Sequence, residues 1–297
     1  MVSKLKVSER LSLSRLSLGV WRMNQWNLSD EALRALFESV VELGITTIDH
    51  ADIYGGYTCE ERFGRIVPSS LRQNMQLVTK CGIKLVSPNR PEHRLKTYDT
   101  SAKHILASVD TSLKNLRTDY LDALLLHRPN PLMNADEIAE AFTALRKSGK
   151  VLEFGVSNFT PSQVSLLQSR LSFKLITNQI EFSVLHLAPM YDGTLDQAQE
   201  RAMPPMAWSP LAGGRLFGEG EQAWRVRSEL SSIAHELGRS LEQVALAWIM
   251  KHPSKPMPIL GSGKLERLKD AANADSLALS DDHWFRILRA STGGDVP

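Results

Sequence analysis

Eight short apolar runs, each followed by an amphipathic helical stretch or a long loop, predict an α/β fold for this chain, a (β/α)8 barrel of the TIM type. Two further observations point the same way. The length of 297 residues is close to the roughly 250 residues, plus insertions, that such a barrel needs. Polar and titratable residues also recur where successive apolar runs stop, at the face where a parallel barrel does its work. No linker or composition break divides the chain, so residues 1–297 are expected to form a single barrel domain, with an N-terminal β-hairpin and an extra C-terminal helix. A doubly wound sheet is the rival, and its fingerprint is absent: no GxGxxG follows the first strand, and GxxxxGK followed by Ser or Thr occurs nowhere.

The elements follow in order. Residues 5–7 and 11–13, around a Ser-Glu-Arg turn, predict the hairpin, and residues 16–20 the first core strand. Ser29 before two acidic residues is a helix-opening signature; Ala32, Leu33, Leu36, Phe37, Val40, Val41 and Leu43 give that helix its apolar stripe, and Gly44 ends it. The β-branched run 45–48 is the second strand, followed by a short helix near 60–67 and a third strand at 75–80. Residues 86–99, rich in Pro, Asn, Arg and His, predict a long loop. Helices at 101–116 and 135–148 then bracket a strand at 120–126. A strand at 154–157 precedes a helix with Pro161 in its first turn. Strands at 175–180, 205–208 and 256–260 alternate with helices at 195–201, 228–237 and 241–250. A helix opening at Gly261 is expected to run through residue 274. Residues 281–289 carry Trp284, Phe285, Ile287 and Leu288, which would pack the last helix on the barrel's outside.

Composition narrows the function. A net charge of +2 on a mixed surface gives no support to nucleic-acid or polybasic membrane binding. Cys59 and Cys81 match no metal-ligand spacing and are too few for a disulfide framework, so reduced thiols in a cytoplasmic protein are expected. No apolar window approaches the roughly 18 residues of a membrane span. The charged N-terminus does not resemble a signal peptide.

The stretch GITTIDHADIYGG, residues 44–56, organises the rest. A strand that stops at Asp49, with Tyr54 five residues further on, puts groups that are costly to bury at a strand mouth. Lys80 follows the third strand, His127 the fourth, Ser157 and Asn158 the fifth, and Gln179 lies on the sixth. Any one of these has an ordinary structural explanation, but in a barrel all of them converge on one face. Their chemistry is coherent. A tyrosine keeps its proton at neutral pH and can donate it, and an adjacent ammonium is expected to lower its pKa. Asp49 would hold Lys80, and His127 would donate to an oxygen on which charge develops. Such a set suits carbonyl reduction: hydride adds to carbon and Tyr54 protonates oxygen. No Ser or Cys stands beside a base for nucleophilic hydrolysis, and no HExxH marks a metal site; no metal is expected.

At these residues the chain resembles the aldo-keto reductase family, and within it bacterial oxidoreductases. GITTIDHADIYGG resembles the signature around the catalytic Asp and Tyr, LDALLLHRP the segment of the catalytic His, GKVLEFGVSNF the nicotinamide-amide segment, and GSGKLER the cofactor phosphate motif. The resemblance implies a catalytic tetrad of Asp49, Tyr54, Lys80 and His127, with Tyr54 as general acid. It implies that Ser157, Asn158 and Gln179 hold the nicotinamide carboxamide and that Trp208 stacks on the ring. Ser209, Pro210, Leu211, Gly213 and Arg215 match the loop over the pyrophosphate. Gly261, Ser262, Gly263, Lys264 and Arg267 match the adenosine end. Gly261 replaces a frequent lysine there, Lys264 restores part of that charge, and Arg267 offers a fork to a 2′-phosphate, so NADPH is the expected cofactor. Where the family has a Glu-Asn pair for adenine, this chain has Asp270 and Ala271; Asp270 is expected to accept from the adenine amine.

Trp21, Trp26 and Arg128, with Tyr191, are candidates for the substrate wall. Two tryptophans suggest apolar or aromatic carbonyls, whereas Arg128 suggests an acidic substrate. The expectation is an NADPH-dependent reductase of small-molecule aldehydes and ketones, acting as a monomer. The alternative is an NADP(H)-binding regulatory or sensor module with little turnover, as in related barrels that serve as cofactor-sensing subunits of membrane channels.

Overall fold

Barrel strands can be short and nearly all apolar because helices cover them outside and side chains fill them inside. The computed structural model describes residues 1–295. It contains a closed barrel of eight parallel strands: Ser17–Gly19, Thr47–Asp49, Gln76–Cys81, Leu121–Leu126, Val151–Ser157, Asn178–Glu181, Met206–Trp208 and Met257–Leu260. They adjoin in chain order, and the ring closes where Ile259 lies opposite Ser17. Asp49 is opposite Gly19 on one side and Val78 on the other, while Lys80 is opposite Leu125.

The lumen is packed, not hollow. Val78, Ala123, Leu125, Met206, Met257 and Ile259 meet inside it, and the hairpin strands Lys4–Lys6 and Ser12–Ser14 bring Val7, Leu11 and Leu13 against them. Ser14 ties this plug to the start of the second barrel strand: its Oγ accepts from the Thr47 N–H at 3.0 Å, and its own N–H donates to Thr47 Oγ1 at 2.9 Å. The hairpin therefore seals the end opposite Asp49. A second apolar layer, including Phe37, Phe63, Phe142 and Phe154, joins strands to surrounding helices.

Helix starts follow local chemistry. Ser29, Ser101, Ser240 and Ser280 each accept a backbone N–H at a helix start, and Thr160 with Gln163 forms a full capping box before Pro161. The last helix, Asp281–Thr292, is pinned by two indoles. Trp248 Nε1 donates to the Trp284 carbonyl at 3.1 Å, Trp284 Nε1 donates to the Trp248 carbonyl at 3.2 Å, and the rings stack with centroids 5.1 Å apart.

Three expectations are corrected. Residues 86–99 are not simply a loop: Ile83–Lys84 and Thr97–Tyr98 pair antiparallel, closing the excursion at its base, and two-residue ladders leave no periodic trace. The helix expected at 228–237 begins at Glu221, because its early turns bury only Ala223 and Val226 and look polar in sequence. The helix expected to open at Gly261 begins at Leu265, leaving 261–264 as a non-helical approach. No helix among the described residues is long and apolar enough to cross a membrane.

Candidate active site

Strand alternation aims the polar groups inward. Successive side chains point to opposite faces, so residues two apart share a face. Val78, Leu125 and Met206 face the lumen, and Lys80, His127 and Trp208 each follow two residues later, one level nearer the open end. Tyr54 reaches that end from a loop. Gly55, at φ +60°, makes the turn after it, and a Cβ there would come within 2.5 Å of the Asn24 side chain. Asn24 Nδ2 donates to Thr58 Oγ1, and that hydroxyl donates to the Gly55 carbonyl, both at 2.8 Å, so the first loop braces the tyrosine loop.

Lys80 is the hub. Its side chain is fully buried, and Nζ donates to Asp49 Oδ1 at 2.8 Å, to the His50 carbonyl at 2.6 Å and to Tyr54 Oη at 3.0 Å. An ammonium has three protons, and all three are used. The His127 ring lies edge-on to Tyr54 with centroids 5.9 Å apart, and its buried Nδ1 has no partner among the described residues. Tyr54 and His127 therefore lie side by side at the open end.

Protonation follows from burial. Burial pushes the Tyr54 phenol above its usual pKa; Lys80 opposes this, and Asp49 adds to it. The expected lowering by the ammonium is thus outweighed by desolvation, with Asp49 adding to the rise. Burial also works against the Lys80 ammonium, but Asp49 and Tyr54 outweigh it and raise its pKa. Burial, then Lys80, Arg128 and Lys96, holds His127 well below the histidine range. At neutral pH the site holds a phenol, an ammonium and a neutral imidazole.

A hydrogen-bond chain links this centre to the seventh strand. Gln179 Nε2 donates to Asp49 Oδ1 at 2.8 Å, the same oxygen that holds Lys80. Ser157 Oγ donates to the Gln179 carbonyl at 3.0 Å, Asn158 Nδ2 donates to Ser157 Oγ at 2.7 Å, and Trp208 Nε1 donates to Asn158 Oδ1 at 3.1 Å. Among the described residues, one proton of the Asn158 amide and the Gln179 Oε1 have no partner. After Trp208, Ser209 and Ala212 hold left-handed backbone, at φ +50° and +53°. Such residues cost about 1–3 kcal/mol each and gather at functional loops. In the same loop Arg215, largely exposed, pairs with Glu181 at 3.0 Å across the mouth.

The far end of the cleft is built by 261–270. A Cβ on Gly263 would fall 2.4 Å from Trp26 Cγ, so only glycine lets the indole lie against this loop. Ser262 Oγ accepts the Lys264 N–H at 3.1 Å, and Arg267 is exposed on the helix that follows. Asp270 is engaged within the fold: its carboxylate accepts from Ser240 Oγ and from Gln243 Nε2, each at 2.6 Å. It braces a neighbouring helix start.

A profile of the Aldo/keto reductase family matches residues 15–291. The chain belongs to the aldo/keto reductase family. It is 54% identical to the Bacillus subtilis oxidoreductase YcsN, with both chains covered in full. It is 42% identical to a 6-dehydroglucose reductase of Agrobacterium fabrum, over 99% of this chain and 100% of that one. Its fold matches an aldo/keto reductase from Klebsiella pneumoniae, solved with NADP and acetate, at a TM-score of 0.80 and 25% identity, over 97% and 95% of the chains.

The residues read as a substrate wall lie at the open end and beside it. Trp21 is exposed, with the Arg22 guanidinium 5.0 Å above its ring centroid. Trp26 packs on Gly263, beside the loop assigned to the adenosine end, so its contacts are with that loop. Arg128 lies half-buried at 5.8 Å over the Trp208 ring, and Tyr191 is exposed. Sequence reasoning missed the His50 carbonyl that fixes Lys80, because a backbone acceptor leaves no residue signal. It also missed Glu181, though a carboxylate at the end of the sixth strand was visible, and the cations Arg22 and Lys96.

Proposed function

We propose that this protein reduces the carbonyl of an aldehyde or ketone with NADPH, with Tyr54 as the general acid. The observation that carries the reading is Lys80, fully buried with all three protons committed, one of them to the Tyr54 oxygen. That ammonium does not act on substrate; it fixes the phenol and stabilises the phenolate that forms when the proton leaves. His127, kept neutral, donates to the same substrate oxygen and holds the carbonyl in line. Asp49 and Gln179 hold Lys80 in place from behind.

The remaining residues fit a nicotinamide dinucleotide phosphate. Asn158 and Gln179 retain a free donor and acceptor for an amide, Trp208 offers an indole face, and Arg267 offers an exposed guanidinium for a 2′-phosphate. When bound, the cofactor supplies hydride to the carbonyl carbon. The names of two relatives, a 6-dehydroglucose reductase and an aldo/keto reductase in complex with NADP, agree with this reading.

Fluorescence titration with NADPH and NADH, followed by a panel of aldehydes and ketones, tests it. Expected are tighter binding of NADPH and turnover of at least one carbonyl. Tight binding with no turnover of any carbonyl would replace the reductase by the sensor reading, and failure to bind either cofactor would overturn both.

A further inference from the structure

The open end of the barrel carries cations that no acid answers. Arg128, half-buried next to His127, has its guanidinium 5.8 Å from the Trp208 ring centroid; Arg22 lies over Trp21; Lys96 stands at the base of the ribbon beside the third strand. Among the described residues, none of these three side chains has a hydrogen-bond or ion-pair partner. Nearby acids are already used: Glu181 is paired with Arg215, and Asp99 accepts from Ser101 and faces Lys84 at 3.9 Å. A half-buried guanidinium without a carboxylate is an incomplete arrangement, since burying an uncompensated charge is costly. Trp21 and Trp208 each have a face covered by a guanidinium.

We infer that the substrate is a carbonyl compound bearing an anionic group, carboxylate or phosphate, which Arg128 grips while the carbonyl oxygen lies between Tyr54 and His127. This rests on the reductase reading above and adds a substrate class to it. The planar fork of arginine suits a carboxylate or phosphate in two-point contact, where a lysine gives only a point charge. Lys96, exposed at the base of the ribbon, offers that point charge. The anion completes the charge balance at Arg128 and sets the carbonyl at a fixed reach from Tyr54.

Matched pairs test the inference: butanal against succinic semialdehyde, and glyceraldehyde against glyceraldehyde 3-phosphate, with NADPH saturating. The wild type should favour the charged member of one pair by at least about ten-fold in kcat/KM, and the pair that does so tells carboxylate from phosphate. Arg128→Gln should remove about ten-fold or more of that ratio, mostly through KM, which corresponds to about 1.4 kcal/mol. Arg128→Lys should retain part of the ratio, and Lys96→Gln should reduce it about three-fold. A wild-type ratio near one, or an equal loss for both members in Arg128→Gln, would overturn the inference. If no carbonyl at all is reduced, the reductase reading fails. Acetate and inorganic phosphate titrated against the NADPH-loaded protein by tryptophan fluorescence then test the anion seat directly. Weaker binding in Arg128→Gln would support the seat; equal binding would overturn it.

Discussion

Replacing Lys80 by methionine tests the core of the site. Methionine fills much of the same volume but donates nothing, so three bonds vanish together: to Asp49 at 2.8 Å, to the His50 carbonyl at 2.6 Å and to Tyr54 at 3.0 Å. Deleting one partner of a buried ion pair costs about 3–5 kcal/mol, because the other charge is left behind. Asp49 keeps the Gln179 donor at 2.8 Å, which puts the expected loss of stability at the lower end, about 3 kcal/mol. Adding Asp49→Asn removes the stranded charge while preserving the shape, and should recover about 1–3 kcal/mol of that loss. Catalysis should behave differently. Tyr54 loses its bonded ammonium in both variants, so kcat for carbonyl reduction should fall about 100-fold or more in each, with no recovery in the double variant. Urea unfolding followed by tryptophan fluorescence gives the stability cycle, and steady-state reduction of one aldehyde gives the kinetic one. The reasoning is refuted if Lys80→Met unfolds within about 1 kcal/mol of the wild type, or if Asp49→Asn restores activity along with stability.

Tyr54→Phe should cut kcat about 1,000-fold while leaving NADPH affinity within about two-fold, measured by titration and steady-state assay; more than a few per cent of the rate would remove Tyr54 from the acid role. Arg267→Ala should weaken NADPH by about ten-fold or more and NADH little, since a charge-assisted contact is worth about 1.5–3 kcal/mol; equal losses would exclude a 2′-phosphate contact. For pH, reduction needs the phenol, so kcat/KM is retained below the Tyr54 pKa and lost as pH rises through it. Because burial raises that pKa, the alkaline fall should lie above about pH 10. His127 is neutral down to well below its usual range and adds no limb near neutrality; a fall between about pH 7 and 8 would mean that Lys80 outweighs burial. Asp270→Ala should cost about 1–2 kcal/mol of stability by freeing Ser240 and Gln243 at a helix start. A loss of NADPH affinity with unchanged stability would instead assign Asp270 to the cofactor.

The barrel was legible because its signal repeats. Eight apolar runs at a regular period leave few topologies open, and parallel pairing then sends every strand's carboxyl end to one face. Asp49, Lys80 and His127 were legible for that reason, each being a polar residue at the end of an apolar run, although they lie far apart in sequence. Short elements were not: the Ile83–Lys84 ribbon has two residues per strand, and the first turns of Glu221–Leu237 bury little.

What the sequence by itself determined was the order of elements, the face on which chemistry gathers and the identity of the groups there. Tertiary structure alone decided how those groups are shared. Asp49 Oδ1 serves Lys80 and Gln179 together, and a backbone carbonyl, that of His50, takes the third proton of Lys80. Asp270 goes to Ser240, and Trp26 goes to Gly263. Local pattern records which residues face inward, but partners and protonation depend on distance and burial among segments far apart in the chain, 130 residues for Asp49 and Gln179, and these exist only once the barrel has closed.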